Sequence, residues 1–194
     1  MFSVGDKVMH PRFGAGKITG ESHRELVEGY ANYFVIEVVG TGATAYVPIQ
    51  KMDELGVRRV MSAAELAKVM ARLCSNPRSL SSDYKRRQAR IEELLNTHQP
   101  VTVAEVIRDL TWHRRRKHLT QRDEALLNRG RELLASEMAL AADAPIADVQ
   151  ATIDAVLTVT APSPSEEDID AAQTNPDSAY PEALVQELLN RVTG

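Results

Sequence analysis

The 194-residue sequence predicts an α+β protein, with a small N-terminal β-barrel followed by an all-α helical bundle. Three observations carry that expectation. Up to residue 58 short apolar stretches rich in β-branched and aromatic residues alternate with glycine-bearing turns. From Ser62 onward the apolar spacing lengthens to the helical period. The composition, 43% hydrophobic and 26% charged, is that of an ordinary globular chain, which excludes a fibrous or wholly disordered one.

In the β part, Lys7–His10 and Gly16–Gly20 are short strands around the turn-like stretch Pro11–Ala15. The segment 31–39 (ANYFVIEVV) is the strongest strand, apolar on both faces. Gly40-Thr41-Gly42 turns the chain into a further strand over 43–47. Several strands this short in so few residues fit a strongly bent barrel of SH3 or Tudor type over residues 1–58. Such a unit buries little core and is expected to lean on its neighbour.

The helical part is expected over 62–160, as a bundle of about five helices. Ser62-Ala-Ala-Glu65 and Thr102-Val-Ala-Glu105 match the capping box, in which the hydroxyl accepts the third amide and the carboxylate reaches back. Thr120 is a third N-cap, and Pro145 suits the first turn of another helix. Val103, Val106, Ile107 and Leu110 form one apolar stripe, and Ile146, Val149, Ile153, Val156 and Leu157 a second. Residues 161–179, rich in proline, serine and acids, are expected to be a flexible linker. Residues 180–194 read as a short helix or tail, with Leu184, Leu188 and Val192 on one side.

Charge is segregated along the chain. Residues 1–84 carry 10 Lys/Arg against 9 Asp/Glu, residues 85–131 carry 12 against 6, and residues 132–194 carry 1 against 12. The formal total of −4 therefore hides a basic middle and an acidic end, an asymmetry that points to a polyanion partner for one segment only.

Catalysis has little to stand on. His113 and His118 are five residues apart and do not share a helix face, so a metal site is not expected. Gly14-Ala15-Gly16-Lys17 lacks the spacing of a phosphate loop and reads as a tight turn. The lone Cys74 excludes an internal disulfide and reads as a small apolar residue at a helix end. No apolar run approaches the ~20 residues that span a bilayer. No secretory signal is visible either, so a cytoplasmic, non-enzymatic monomer without cofactor or membrane contact is expected.

The basic residues are more informative. Lys85, Arg86, Arg87 and Arg90 follow the helix-start signal Ser81-Ser82-Asp83, where cations oppose the helix dipole, so that dipole cannot explain them. Arg114-Arg115-Arg116-Lys117 closes the next helix, where the dipole alone accounts for cations. Trp112 falls opposite the Val103 stripe, among Arg108, Arg115 and Arg116. An exposed indole there could stack on a base. The same ring could instead pack against another helix under a cover of arginines, the reading that two-sided burial in small bundles favours.

The order of motifs resembles the bacterial CarD/CdnL RNA-polymerase-binding proteins, whose first domain also occurs in transcription-repair coupling factors. The resemblance rests on Val4-Gly5-Asp6-Lys7-Val8, His10-Pro11 with Gly14, Tyr33-Phe34-Val35-Ile36, Val47-Pro48 and Gly56-Val57-Arg58. It continues through Lys85-Arg86-Arg87, Ile91-Glu92-Glu93-Leu94, the stretch 104–110, Leu119-Thr120 and the stretch 131–141. About residues 1–158 are covered.

The resemblance implies a Tudor-like domain that binds the RNA polymerase β subunit. It also implies a helical domain that touches promoter DNA at the upstream edge of the bubble and stabilises the open complex. DNA contact is expected to be weak and mostly non-specific. On this view Arg24, Tyr46 and Pro48 face polymerase, and Tyr84, Lys85, Arg86, Arg87 and Arg90 face DNA. Two positions depart from the family pattern. Tyr84 stands where relatives commonly carry a wedge tryptophan, a role that does not pass to Trp112, and Tyr46 stands where they often carry arginine. A polymerase-binding adaptor without effective DNA contact is the alternative.

Overall fold

The computed structural model describes residues 2–159 and residue 190, so the linker expected over 161–179 and nearly all of the segment 180–194 lie outside the described residues. An antiparallel sheet comes first: β1 (Lys7–His10), β2 (Gly14–Val27), β3 (Tyr30–Val38), β4 (Thr44–Pro48) and β5 (Arg58–Arg59). Five helices follow: α1 (Ala63–Cys74), α2 (Tyr84–Asn96), α3 (Pro100–Arg116), α4 (Gln121–Ala142) and α5 (Ile146–Val159). The architecture is α+β. The strand order is β4-β3-β2-β1-β5.

Alternation dictates the sheet's inner face. In β4, Ala45 and Val47 are buried while Thr44 and Tyr46 are exposed. Opposite them on β3, Phe34 pairs with Val47 and Ile36 with Ala45, and both aromatic and aliphatic side chains are buried. Gly16 lies where β2 crosses closest to β3. A Cβ there would sit 2.6 Å from Ile36 Cγ2 and 2.7 Å from the Glu37 carbonyl oxygen, so only glycine fits.

The second strand differs from expectation. It does not stop near Gly20 but runs to Val27, pairing with β3 as far as Tyr30, with register shifts after Ile18 and after His23. The polar sequence of this outer arm gives no apolar alternation to read. Cross-strand hydrogen bonds hold it, and the Tyr33 hydroxyl accepts from the Val27 amide at 3.0 Å.

The apolar core forms two clusters. One lies under the sheet, from Val8 to Val57, and the other joins all five helices, from Met61 to Leu157. Both apolar stripes read from the sequence fall in the second cluster, Ile146 at its partly buried edge. Buried polar groups tie sheet to helices. Arg58 of β5 donates through both terminal nitrogens to Glu137 of α4, and also to the His98 carbonyl at 2.6 Å. Glu137 in turn accepts from the Met61 amide at 3.0 Å. At the edge Lys7 meets Asp143 at 2.6 Å.

Helix starts follow local chemistry. Ser62 and Glu65 form the expected capping box, and Thr120 forms another with Asp123. Thr102 does not cap. Helix α3 begins three residues earlier because Pro100 pre-sets the first turn, with Gln99 as its N-cap. Glu105 is therefore inside the helix and reaches Arg72 at 3.3 Å. Pro145 stands just ahead of Ile146, its carbonyl accepting from the Asp148 and Val149 amides.

Candidate nucleic-acid interface

Helix α2 starts at the N-cap Asp83, whose carboxylate accepts from the Lys85 amide at 2.9 Å and, less closely, from the Arg86 amide at 3.4 Å. That carboxylate supplies the negative charge a helix N-terminus favours, which offsets the cations that follow. Tyr84 is the first helical residue and is 50% exposed. Lys85, Arg86 and Arg90 point outward. Arg86 lies 3.7 Å from Asp83, while Arg90 donates to Glu93 at 2.7 Å; both are exposed pairs of small net worth.

Arg87 departs from the expectation of a DNA-facing residue. Its side chain is 4% exposed and forms a two-pronged ion pair with the fully buried Asp123, at 2.7 and 3.2 Å. Its third nitrogen donates to the Ser81 carbonyl at 2.8 Å. With every arm committed inside the fold, the guanidinium is not available to a phosphate. The sequence held a signal for this, since Arg87 precedes Ile91 and Leu95 by four and eight residues and so shares their buried face.

The same pair sets the pKa of Asp123. Burial pushes the carboxyl up, but the Arg87 guanidinium and the Thr120 amide and hydroxyl outweigh it and bring it down to about 2. The carboxylate is therefore held ionised across the whole physiological range.

Arg87–Asp123 also has a geometric consequence. It joins the start of α2 to the start of α4, and Gln88 reinforces the join by donating to the Thr120 hydroxyl at 2.8 Å. Thr120 lies three residues after Lys117, at the end of α3. His113, in the last turn of α3, lies close enough to Arg87 and Lys117 for both cations, after burial, to hold its pKa down. Two basic clusters separated in sequence, Lys85–Arg90 and Arg114–Lys117, thus converge on one end of the bundle.

Within the second cluster Arg114 faces Glu124 at 3.6 Å, Arg115 donates to the Leu157 carbonyl at 3.0 Å, and Arg116 covers Trp112 at 5.4 Å. Trp112 is half-buried and lines a small crevice with Pro77, Thr111, Arg115 and Leu157, the packing role rather than an exposed indole. Arg108, expected on this basic face, is instead buried. It pairs with Asp109 at 2.6 Å and donates to the Arg72 carbonyl and the Ser75 hydroxyl, closing the end of α1.

The residues expected to face polymerase lie on the sheet. Tyr46 stands opposite Val35 and Pro48 opposite Tyr33, with Tyr33 in turn opposite Ser22. Tyr46 is 46% exposed and Pro48 half-buried. Arg24 is exposed and lies within β2, where the register shifts after His23. The irregular pairing there frees its side chain from the regular alternation.

Other candidates are quiet. Cys74 is fully buried as the last residue of α1, and burial raises its thiol pKa. Gly14-Ala15-Gly16-Lys17 opens β2. Among the described residues no three His, Cys, Asp or Glu side chains gather as a metal site, and no helix is long and apolar enough to cross a membrane.

Comparison with known proteins follows this division of the fold. Residues 2–61 match the CarD-like/TRCF RID domain, and residues 68–154 match the CarD C-terminal domain. A Bacillus subtilis (strain 168) protein described as "Putative transcription factor YdeB" is 27% identical over 138 residues, which span 71% of this chain and 90% of that protein. Sheet and helices thus match the two CarD domains in the same order, and the chain belongs to the CarD/CdnL family of transcription regulators.

Proposed function

We propose that the chain is a non-catalytic transcription regulator that binds the RNA polymerase β subunit and promoter DNA at the same time. The sheet, read as a Tudor-like docking module over residues 1–58, carries the polymerase surface at Arg24, Tyr46 and Pro48. The helical part over 62–160 carries the DNA surface at Tyr84, Lys85, Arg86 and Arg90, at the upstream edge of the bubble. The observation that supports this most is the convergence of two basic clusters at one end of the bundle, in a chain whose total charge is negative. A module with few exposed cations binds free DNA weakly, but docking on polymerase raises the local DNA concentration to about millimolar.

Tyr84 is the wedge on this reading. Its exposed ring can rest against an unstacking base pair, while Lys85 and Arg86 hold the adjacent phosphates. Burial of Arg87 favours the second reading, an adaptor without effective DNA contact, because it removes one cation from the cluster.

The test is a pull-down with a β-subunit fragment together with open-complex lifetime at a promoter. The regulator reading expects binding and a longer lifetime. Binding with an unchanged lifetime leaves the adaptor, and loss of β binding refutes both.

A further inference from the structure

The basic end of the bundle lies where the described chain stops. Arg115 donates to the carbonyl of Leu157, two residues before the end of α5 at Val159. Among the described residues, Lys85, Arg115, Arg116 and Lys117 have no carboxylate within 4 Å, and Arg114 has only the long contact to Glu124. The sequence that continues from this point, residues 160–194, carries seven Asp/Glu against the single Arg191, with Glu166, Glu167, Asp168 and Asp170 grouped near its beginning. The described chain thus ends near cations that lack a carboxylate partner, and the sequence that follows is acidic.

We propose that the acidic segment beginning at Glu166 docks on the basic end formed by Arg114–Lys117 and Lys85–Arg86, and so competes with DNA for that surface. The competition rests on the DNA contact proposed above; the docking itself does not.

Length and charge both allow it. Six residues lie between Val159 and Glu166, so seven Cα steps give a reach of about 24 Å at the extended rise of the chain. Tethering over so short a span gives an effective concentration on the order of millimolar. Each exposed ion pair is weak, but four carboxylates presented together match the four cations that lack a carboxylate partner. Screening sets the range, since the Debye length is about 8 Å at physiological salt. The occlusion is therefore strong at low ionic strength and fades as salt rises. Binding of the protein to polymerase beside DNA sets a second polyanion against the segment at a comparable effective concentration, so DNA then competes for the same cations.

The experiment compares the full chain with a full-length variant carrying Glu166→Gln, Glu167→Gln, Asp168→Asn and Asp170→Asn. One measurement is carbodiimide cross-linking, which joins lysine amines to nearby carboxylates, followed by peptide mapping of the monomer. The full chain is expected to give links from Lys117 or Lys85 to the 166–170 stretch that vanish in 0.5 M salt (a value chosen to bring the screening length to about 4 Å). The other measurement is affinity for a mixed-sequence duplex against salt. If the segment covers the surface about four-fifths of the time, the variant binds roughly fivefold more tightly at 50 mM salt. The two proteins converge at high salt.

Links with measurable DNA binding that does not differ between the two proteins overturn the proposal, as does tighter binding without links, which would mark simple repulsion. Links formed while neither protein binds DNA overturn the DNA contact proposed above and keep the docking.

Discussion

Replacing Arg87 by alanine tests whether the basic cluster is a single surface or a surface with an internal support. In the wild type the Arg87 guanidinium meets Asp123 at 2.7 and 3.2 Å, with side-chain exposures of 4% and 0%. Alanine leaves a buried carboxylate with only its Thr120 partners, at 2.8 and 3.0 Å. Removing one member of such a pair costs about 3–5 kcal/mol, a large share of the 5–15 kcal/mol that typically holds a domain together. With a urea dependence of about 2 kcal/mol per molar, the unfolding midpoint should fall by roughly 1.5–2.5 M. Circular dichroism at 222 nm during urea titration reads this directly. Arg87→Met combined with Asp123→Leu should recover most of the stability, because an apolar pair of similar volume removes the stranded charge. If Arg87→Ala costs less than about 1 kcal/mol and weakens DNA binding as much as Lys85→Ala does, Arg87 is a surface cation and does not support the cluster from within.

The same carboxylate gives a pH signature. Asp123 titrates near 2 in the fold against an ordinary value of 3.8, so its stabilisation is complete above about pH 5 and is lost as pH falls through 4 toward 2. That decline amounts to about 2 kcal/mol in acid denaturation, and Asp123→Asn should flatten it at the expense of stability at neutral pH. Gly16→Val should prevent the close crossing of β2 over β3 and lower the thermal midpoint by roughly 10 °C or more, while Gly20→Val, in open space, should not. Neutralising Lys85, Arg86 and Arg90 together should reduce the log–log salt slope of DNA binding by up to about 0.9 for each phosphate no longer neutralised, with circular dichroism unchanged; an unaltered slope means a merely solvated face. Tyr84→Ala should shorten open-complex lifetime severalfold without changing β-subunit affinity, and Tyr84→Trp should lengthen it; equal lifetimes leave Tyr84 a surface residue.

What could be read from the sequence is what local chemistry decides. Strands β1, β3 and β4 were legible because alternation and β-branched content are local, and Ser62 and Thr120 because a cap needs only the next three residues. The outer half of β2 was not, since GESHRELV has no apolar face and forms a strand only because Tyr30–Tyr33 returns alongside it. Thr102 misled for a related reason. It has the right spacing to Glu105, but Pro100 had already started the helix, so the motif fell where no amide was free. Residue type points Arg87 to the DNA surface and Arg108 to the Trp112 face, because arginine is usually exposed. Asp123 becomes the partner of Arg87 only when α2 and α4 are assembled, whereas Asp109 adjoins Arg108 in α3 and both are buried where α3 closes over the end of α1.

The two kinds of arginine at this end of the bundle divide one task. A cluster made only of exposed cations would repel itself, and against that the long pairs Arg86–Asp83 and Arg114–Glu124 add little, while Arg122 of α4 reaches Glu92 of α2 at 2.9 Å across an exposed, screened surface. Burying one guanidinium against Asp123 costs desolvation, so its contribution to stability is modest beside an apolar pair of equal volume. What it adds is position. A two-pronged contact fixes both distance and orientation between the starts of α2 and α4, and the exposed Lys85 and Arg86 inherit that geometry because they lie two residues and one residue before Arg87. Phosphate contacts set register on a duplex and carry no sequence information. A surface of this kind therefore gains little from more cations and much from cations held at a constant spacing, and on the proposed reading it is the hidden arginine that holds them there.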